Sequence, residues 1–363
     1  MKILHITATH LNKAGGIPVV LENLVKHQNK IDHVQAQVLS VRHDIKNIES
    51  DFFFYRKNFS DVCEFILNYE PEIVIFHGAY FYEYVKISKH LKEIGFEYYI
   101  EPHSSFGKEA QKKGRVKKII ANRTVFKNFI ISAFGYIFLN EHEKNNSIFH
   151  TNNDLIIPNG IEEDLSIGVE KNLNNKVRLY FIGRIDINHK GLDILFKELK
   201  KLDVEEQDFE IRIYGKGSDK ETKMLNHMIK EFNKIKVLYE GPIFDEAKKR
   251  MLVESNIMIL TSRYEGFPMT VLEALAFGNP CIVTDGTNVR EIVEKNNLGW
   301  GTDYKDISKT IKRAIVDYKK NMDHYTKNTR KYVLSNYLWT TIASDSINLL
   351  MKSQKDNYKK QMR

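Results

Sequence analysis

Two glutamates, Glu265 and Glu273, lie eight residues apart in the stretch SRYEGFPMTVLEALAFGNPCIVTD (262–285). An apolar run ends at Ser262, and a loop carries Glu265, Gly266, Phe267 and Pro268. A helix is expected from about Met269, with Pro268 in its first turn and Gly278 just past its end. One carboxylate then stands at the helix entrance and the other on the first or second turn. Free N–H groups at a helix start, and the positive end of its dipole, favour a phosphate there. Gly266 lets the backbone approach a ligand, and each carboxylate can accept two hydroxyl hydrogen bonds. The pattern suits capture of a ligand whose hydroxyls flank a diphosphate. Two cations, Arg184 and Lys190, follow another apolar run in FIGRIDINHKGLDILF (181–196). Fixed cations stabilise the charge that a leaving diphosphate gains as its bond to carbon breaks. Gly15-Gly16 lies in the loop after the first apolar run.

The Glu-Gly-Phe-Pro sequence with its second Glu eight residues after the first resembles the Glu-x7-Glu motif of family 4, the retaining, nucleotide-sugar-dependent glycosyltransferases. Arg184 and Lys190 match the basic positions of that family's Gly-Arg-…-Lys-Gly-x-Asp-x-Leu signature, and Gly15-Gly16 resembles its glycine-rich loop. The resemblance covers most of the C-terminal half and the first loop. It implies an α/β chain of the GT-B fold, two Rossmann-like doubly wound parallel-sheet domains facing across a cleft. It also implies roles. Glu265, His103, Arg184 and Lys190 would form the catalytic set, with Glu265 on the donor-sugar hydroxyls and His103, in EPHSSFG, facing the donor sugar. Glu273 would hold the ribose hydroxyls, and the N–H groups of Gly266, Phe267, Met269 and Thr270 would cradle sugar and phosphate. Pro268 has no N–H to give. Gly215, Pro242 and Ile243 would border the base, and Gly15 and Gly16 would face the diphosphate. The chain has His103-Ser104 where the family often has His-Gly or His-Asp. His77, followed by Gly78, is a weaker neighbouring candidate.

The elements that must position these residues read as repeated strand, loop and helix. Strands are expected at 2–8, 34–41, 72–78, 97–103 and 135–140, with helices over 17–28, 60–69, 81–94 and 117–131. A second series has strands at 177–183, 209–215, 236–241, 256–262 and 280–285, with helices over 191–202 and 269–277. Short apolar strands alternating with helices make parallel sheets, whose ligands bind beyond the strands' carboxyl ends. The divisions read are 1–165 for acceptor binding, 166–335 for the nucleotide sugar, and 336–363 as a C-terminal helix that could pack back on the first domain. The polar, Asn-rich segment 162–176 reads as the linker.

Composition excludes several classes. With 363 residues, 42% of them hydrophobic, there is core enough for two domains and too much for disorder. The longest near-continuous apolar run, 129–139, is too short to cross a bilayer, and the N-terminus has no secretory pattern. A cytoplasmic protein is expected, peripheral to the inner membrane face. Two cysteines, Cys63 and Cys281, make no disulfide framework. The net charge of +8 is local, since 108–127 alone carries +7. In that stretch Lys112, Lys113, Arg115, Lys117 and Lys118 interleave with Ile119, Ile120, Val125, Phe126, Phe129 and Ile130. This is a candidate surface for an anionic membrane or a lipid-linked acceptor. Nucleic acid is not an expected partner, because the chain shows no recognised binding module. No Asp-x-Asp occurs in the chain, so no metal and no other cofactor is expected. The resulting expectation is a metal-independent, retaining glycosyltransferase moving a sugar from a nucleotide-diphosphate donor, UDP first, to a hydroxyl of a glycan or lipid-linked oligosaccharide in cell-surface polysaccharide synthesis. A sugar-nucleotide epimerase on the same scaffold and a non-catalytic glycosyltransferase-like subunit are the alternatives.

Overall fold

A computed structural model describes residues 1–9, 16–43, 50–112, 114–162, 171 and 176–361. The chain forms two compact units, Met1–Glu162 with Leu338–Arg363, and Glu163–Tyr337.

The first unit contains β1 (Lys2–Thr7), β2 (Gln35–Ser40), β3 (Phe53–Tyr55), β4 (Ile73–His77), β5 (Tyr98–Glu101), β6 (Gly135–Phe138) and β7 (Leu155–Ile156). They form one parallel sheet in the order β3-β2-β1-β4-β5-β6-β7. Its helices are α1 (Gly16–Gln28), α2 (Phe59–Tyr69), α3 (Tyr82–Glu93), α4 (Lys108–Lys112), α5 (Arg115–Arg123), α6 (Lys127–Ile131) and α7 (Glu141–Asn146). Every residue of β4 and β5 is buried, as expected for strands covered on both faces. That covering is why the central strands read as plain apolar runs.

The second unit contains β8 (Val177–Ile182), β9 (Phe209–Tyr214), β10 (Lys236–Gly241), β11 (Ile257–Leu260), β12 (Cys281–Thr284) and β13 (Gly299–Thr302). They too are parallel, in the order β10-β9-β8-β11-β12-β13. Around them lie α8 (Leu192–Lys200), α9 (Asp219–Ile229), α10 (Asp245–Glu254), α11 (Met269–Ala276), α12 (Arg290–Lys295) and α13 (Ile307–Asn336), the last kinked at Asn321. The final helix, α14 (Trp339–Gln361), belongs to the first unit. There Tyr99 Oη donates to Ser353 Oγ at 2.8 Å, and the Trp339 N–H donates to the Ile161 carbonyl at 3.0 Å.

Several expectations change. The single helix read over 117–131 is α5 and α6, separated by a break at 124–126, and a left-handed Gly114 separates α5 from α4. Its apolar residues accordingly part company: Phe126, Phe129 and Ile130 enter the core, while Ile119, Ile120 and Val125 are exposed. Strands β3, β7 and β13 carry no apolar run long enough to announce them; β13 is Gly-Trp-Gly-Thr. Pro268 stands at the N-cap of α11, one residue ahead of the first turn. Most of the linker segment lies outside the described residues.

Candidate active site

Lys190 and Glu265 lie on different loops that one glycine brings together. Gly191, before α8, has φ +65°, and a Cβ there would sit 2.0 Å from the Thr261 carbonyl oxygen. Glycine alone lets the start of α8 rest against the end of β11. Lys190 Nζ then donates to Glu265 Oε1 at 2.5 Å, and Ser262 Oγ donates to the same oxygen at 2.5 Å. The pair is largely enclosed, its side chains 15% and 12% exposed. An ammonium has three donors, and Glu265 takes one.

Glu273, on the second turn of α11, accepts through Oε1 from Lys248 Nζ of α10 at 2.6 Å. Its other oxygen, Oε2, is buried without a hydrogen-bond partner. Buried acceptors are seldom left so, and a ligand hydroxyl donating here would satisfy it. The start of α11 adds the N–H groups of Met269 and Thr270, first-turn positions that have no intrahelical carbonyl to meet.

Arg184 follows β8 with its side chain 65% exposed. It donates through Nη2 to His189 Nδ1 at 3.1 Å, so His189 carries its proton on Nε2 and donates to the Tyr264 carbonyl at 2.8 Å. The imidazole stacks on Tyr264 with ring centroids 4.1 Å apart. Burial lowers the His189 pKa below the ordinary histidine value, against the pull of Glu265.

The remaining residues of the second unit divide by role. Gly215 has φ +149°, and a Cβ there would lie 1.7 Å from the Gly183 carbonyl oxygen; that approach of the ends of β8 and β9 requires glycine. Pro242 and Ile243 occupy the loop from β10 to α10. The Gly266 carbonyl accepts from Asn288 Nδ2 at 3.4 Å. The Phe267 ring is buried against Tyr337, with centroids 5.4 Å apart, so its side chain belongs to the core.

In the first unit His103 presents its ring inward. Its Nε2 lies 3.2 Å from His77 Nδ1, and its Nδ1 lies 3.5 Å from Glu101 Oε1. Burial pushes His103 down to about 4 and His77 well below its ordinary value, and pushes Glu101 up to about 8 with help from Glu143. Gly16 is the first residue of α1; Gly15 lies outside the described residues. On the basic stretch, Arg115 and Lys117 are exposed, Lys112 pairs with Glu109 at 2.5 Å, and Lys118 sits over the Tyr80 ring. Lys113 lies outside the described residues. α5 buries none of its residues and exposes Val116, Ile119 and Ile120 beside its cations.

Reasoning from sequence missed Lys248, His189, Glu101 and His5. His189 sits inside the stretch that carries Arg184 and Lys190. Lys248 is one of three successive cations on α10, and no spacing singles it out.

Residues 164–332 match the family model described as Glycosyl transferases group 1. An uncharacterized glycosyltransferase of Methanocaldococcus jannaschii is 25% identical over 230 residues, 56% of this chain and 55% of that protein. The chain thus spans about half, or less, of the length of the curated relatives it matches. Three solved structures align over nearly the whole chain. Sucrose-phosphate synthase of Thermosynechococcus elongatus does so at TM-score 0.75 and 16% identity, covering 97% of this chain and 99% of that one. A lipopolysaccharide outer core galactosyltransferase does so at 0.70 and 17%, covering 97% and 99%. The Anabaena HepE protein, solved with UDP and glucose, does so at 0.70 and 16%, covering 97% and 100%. The second unit therefore carries the match to Glycosyl transferases group 1, within a chain that has the two-sheet GT-B fold.

Proposed function

We propose that this protein is a retaining glycosyltransferase that moves a sugar from a nucleoside diphosphate, UDP first, to a hydroxyl of a glycan or lipid-linked oligosaccharide. The observation that carries the reading is Glu273 Oε2, buried and unpartnered while Lys248 holds the other oxygen. It is an acceptor waiting for a donor, on the helix whose start suits a phosphate. In this reading Glu273 takes the ribose hydroxyls and Glu265 the hydroxyls of the transferred sugar. Lys190, with two N–H donors left after Glu265, and the exposed Arg184 meet the diphosphate beside Met269 and Thr270. As the glycosidic bond breaks, negative charge grows on the leaving phosphate, and these cations stabilise it more in the transition state than before it. No metal is called on at the diphosphate. The acceptor hydroxyl attacks on the face the nucleotide leaves, and the departing phosphate takes its proton. UDP in the HepE structure, and the lipopolysaccharide outer core for which the galactosyltransferase is named, support the choice of donor and acceptor class. The exposed cations and apolar residues of α5 support action at an anionic membrane surface, on its cytoplasmic side.

A panel of nucleotide sugars tests the reading by thermal shift, followed by UDP release with and without a lipid-linked glycan acceptor. One UDP-sugar should raise Tm, and Glu273→Gln should weaken its binding about 10–100-fold, as expected for hydrogen bonds to a charged acceptor. Stabilisation by no nucleotide sugar, or equal affinity in Glu273→Gln, would overturn it.

A further inference from the structure

The first unit contains a directed chain of hydrogen bonds that glycosyl transfer, as read above, leaves unused. It starts on α14, where Ser346 Oγ donates to the Ala343 carbonyl at 2.7 Å. With its proton so committed, Ser346 Oγ accepts from Gln28 Nε2 at 3.3 Å. The Gln28 amide is thereby oriented, its oxygen facing His5 Nε2 at 3.0 Å, so that nitrogen carries the His5 proton. His5 Nδ1 is left as an acceptor and takes the proton of His77 Nε2 at 2.9 Å. The remaining ring nitrogen of His77, Nδ1, is then a lone pair.

That lone pair faces other ligating atoms. Glu101 Oε2 lies 3.3 Å from His77 Nδ1, His103 Nε2 lies 3.2 Å from it, and His103 Nδ1 lies 3.5 Å from Glu101 Oε1. One atom from each of the three residues falls within 4.8 Å of the others. Glu101 is buried with an imidazole beside each of its oxygens, and the Glu143 carboxyl stands in the same surroundings. A tetrahedral ion with bonds of about 2.0–2.1 Å has edges of about 3.3 Å between its ligands; the two edges that meet at His77 Nδ1, 3.3 Å to Glu101 Oε2 and 3.2 Å to His103 Nε2, are close to that length.

The frame around the cluster is rigid. His77 and Glu101 are paired residues at the carboxyl ends of neighbouring strands β4 and β5. His103 and Ser104 follow with φ +47° and +63°, a left-handed conformation that costs a non-glycine residue energy and gathers at functional sites. Glu143 fixes that turn, taking the Ser104 N–H at 2.5 Å and the Leu139 N–H at 2.7 Å.

We propose that His77, Glu101 and His103 bind one divalent cation of the zinc class. Two imidazoles and a carboxylate suit Zn²⁺ or Co²⁺ and not Mg²⁺ or Ca²⁺, which take oxygen ligands. His77 ligates through Nδ1 while its Nε2–H is held by His5, whose own tautomer Gln28 sets, the support that metal-bound histidines generally have. His103, at the edge of the cluster, leaves the fourth position for water or a ligand oxygen. Metal uptake at this place is independent of whether the second unit transfers a sugar.

The full chain, stripped by chelation, is titrated with Zn²⁺ by calorimetry and with Co²⁺ by visible absorption. One equivalent of Zn²⁺ and the intense bands of four-coordinate Co²⁺ are expected. His103→Ala, at a half-buried loop position, and Glu101→Gln should each lower affinity about 10–100-fold or more, and Gln28→Leu, which acts on His77 only through His5, should lower it by less, about threefold. His227→Ala, on the exposed face of α9, should leave uptake unchanged. Circular dichroism identifies any variant that fails to fold, and His103→Ala decides should Glu101→Gln do so. No specific Zn²⁺ uptake by the wild type, or equal uptake by folded His103→Ala, would overturn the assignment.

Discussion

The two sheets share one winding, so β4 and β5 of the first correspond to β11 and β12 of the second, yet their carboxyl ends carry opposite kinds of chemistry. In the second unit the loops after β8 and β11 bring together unlike charges, Lys190 with Glu265, while α10 and α11 join Lys248 to Glu273. The Lys190–Glu265 pair is largely enclosed and the Lys248–Glu273 pair about a quarter exposed, and in both the charges are already matched. In the first unit the ends of β4 and β5 gather His77, Glu101 and His103, with no lysine or arginine beside them among the described residues. An ion pair is charge already balanced, for which a diphosphate can compete. A set of buried lone pairs is an unbalanced arrangement, completed by a proton or a metal ion. The same strand ends can thus serve either use, and the residues of the loops decide which.

Breaking the balanced charge of the second unit should give the largest effect. Lys190→Met is expected to lower kcat about 10²–10³-fold, the cost of removing one preorganised charge from a developing anion. Arg184→Met should cost roughly a tenth as much, because its guanidinium is exposed and screened. Steady-state kinetics on the best nucleotide sugar checks both, and equal losses would erase the distinction drawn between enclosed and open cations.

Next comes a cation with no part in that site. Lys171 Nζ donates to the carbonyls of Leu252, Val253 and Ser255, at 2.6, 2.9 and 2.8 Å, and so caps the end of α10. Lys171→Met should destabilise the protein by about 2–4 kcal/mol in denaturant unfolding, since those carbonyls lose their donor. Burial, with Arg330, pulls Lys171 down to about 7 from an ordinary 10.5. The unfolded chain therefore binds that proton more tightly, and the lysine's share of stability is lowest below pH 7 and grows as pH rises toward 10.5. A wild-type-minus-variant difference that shrinks over this window would contradict the sign.

A smaller effect tests the neighbour of Glu273. Lys248→Met should weaken donor binding about tenfold, because the carboxylate loses the ammonium that holds its position. Calorimetry with the nucleotide sugar measures this, and unchanged affinity would show that Glu273 needs no such support. The smallest expected change concerns α5. Arg115→Glu combined with Lys117→Glu should reduce binding to anionic vesicles several-fold at low salt, fading as salt screens the surface. Sedimentation with vesicles measures it, and equal binding by variant and wild type would remove the membrane role from this helix.

How far the site was legible follows from how each residue is placed. Glu265, Glu273, Arg184 and Lys190 lie within two short stretches in which strand, loop and helix follow directly, so local spacing fixes them. Lys248 reaches Glu273 from another helix, and His5 reaches His77 from a strand 72 residues away. No local period records such meetings. His103 was singled out through the family resemblance, but the inward turn of its ring depends on Glu101, His77 and the left-handed turn that Glu143 holds. The basic stretch was legible as charge. Which of its apolar residues face the core depended on breaks at Gly114 and over 124–126, whose effect is decided by packing.

The sequence by itself determined two parallel-sheet units, the strand and helix series, and the pairing of acidic and basic motifs in the second half. Those follow from apolar periodicity, helix-end residues and glycine placement, which act over a few residues at a time. Only the tertiary structure decided that α14 belongs with the first unit, that Lys248 and not another cation holds Glu273, and that four residues from separate strands and a loop form one buried histidine and carboxylate array. Those contacts join residues distant along the chain, and their energy comes from burial and geometry that exist only once helices and loops have packed on each sheet.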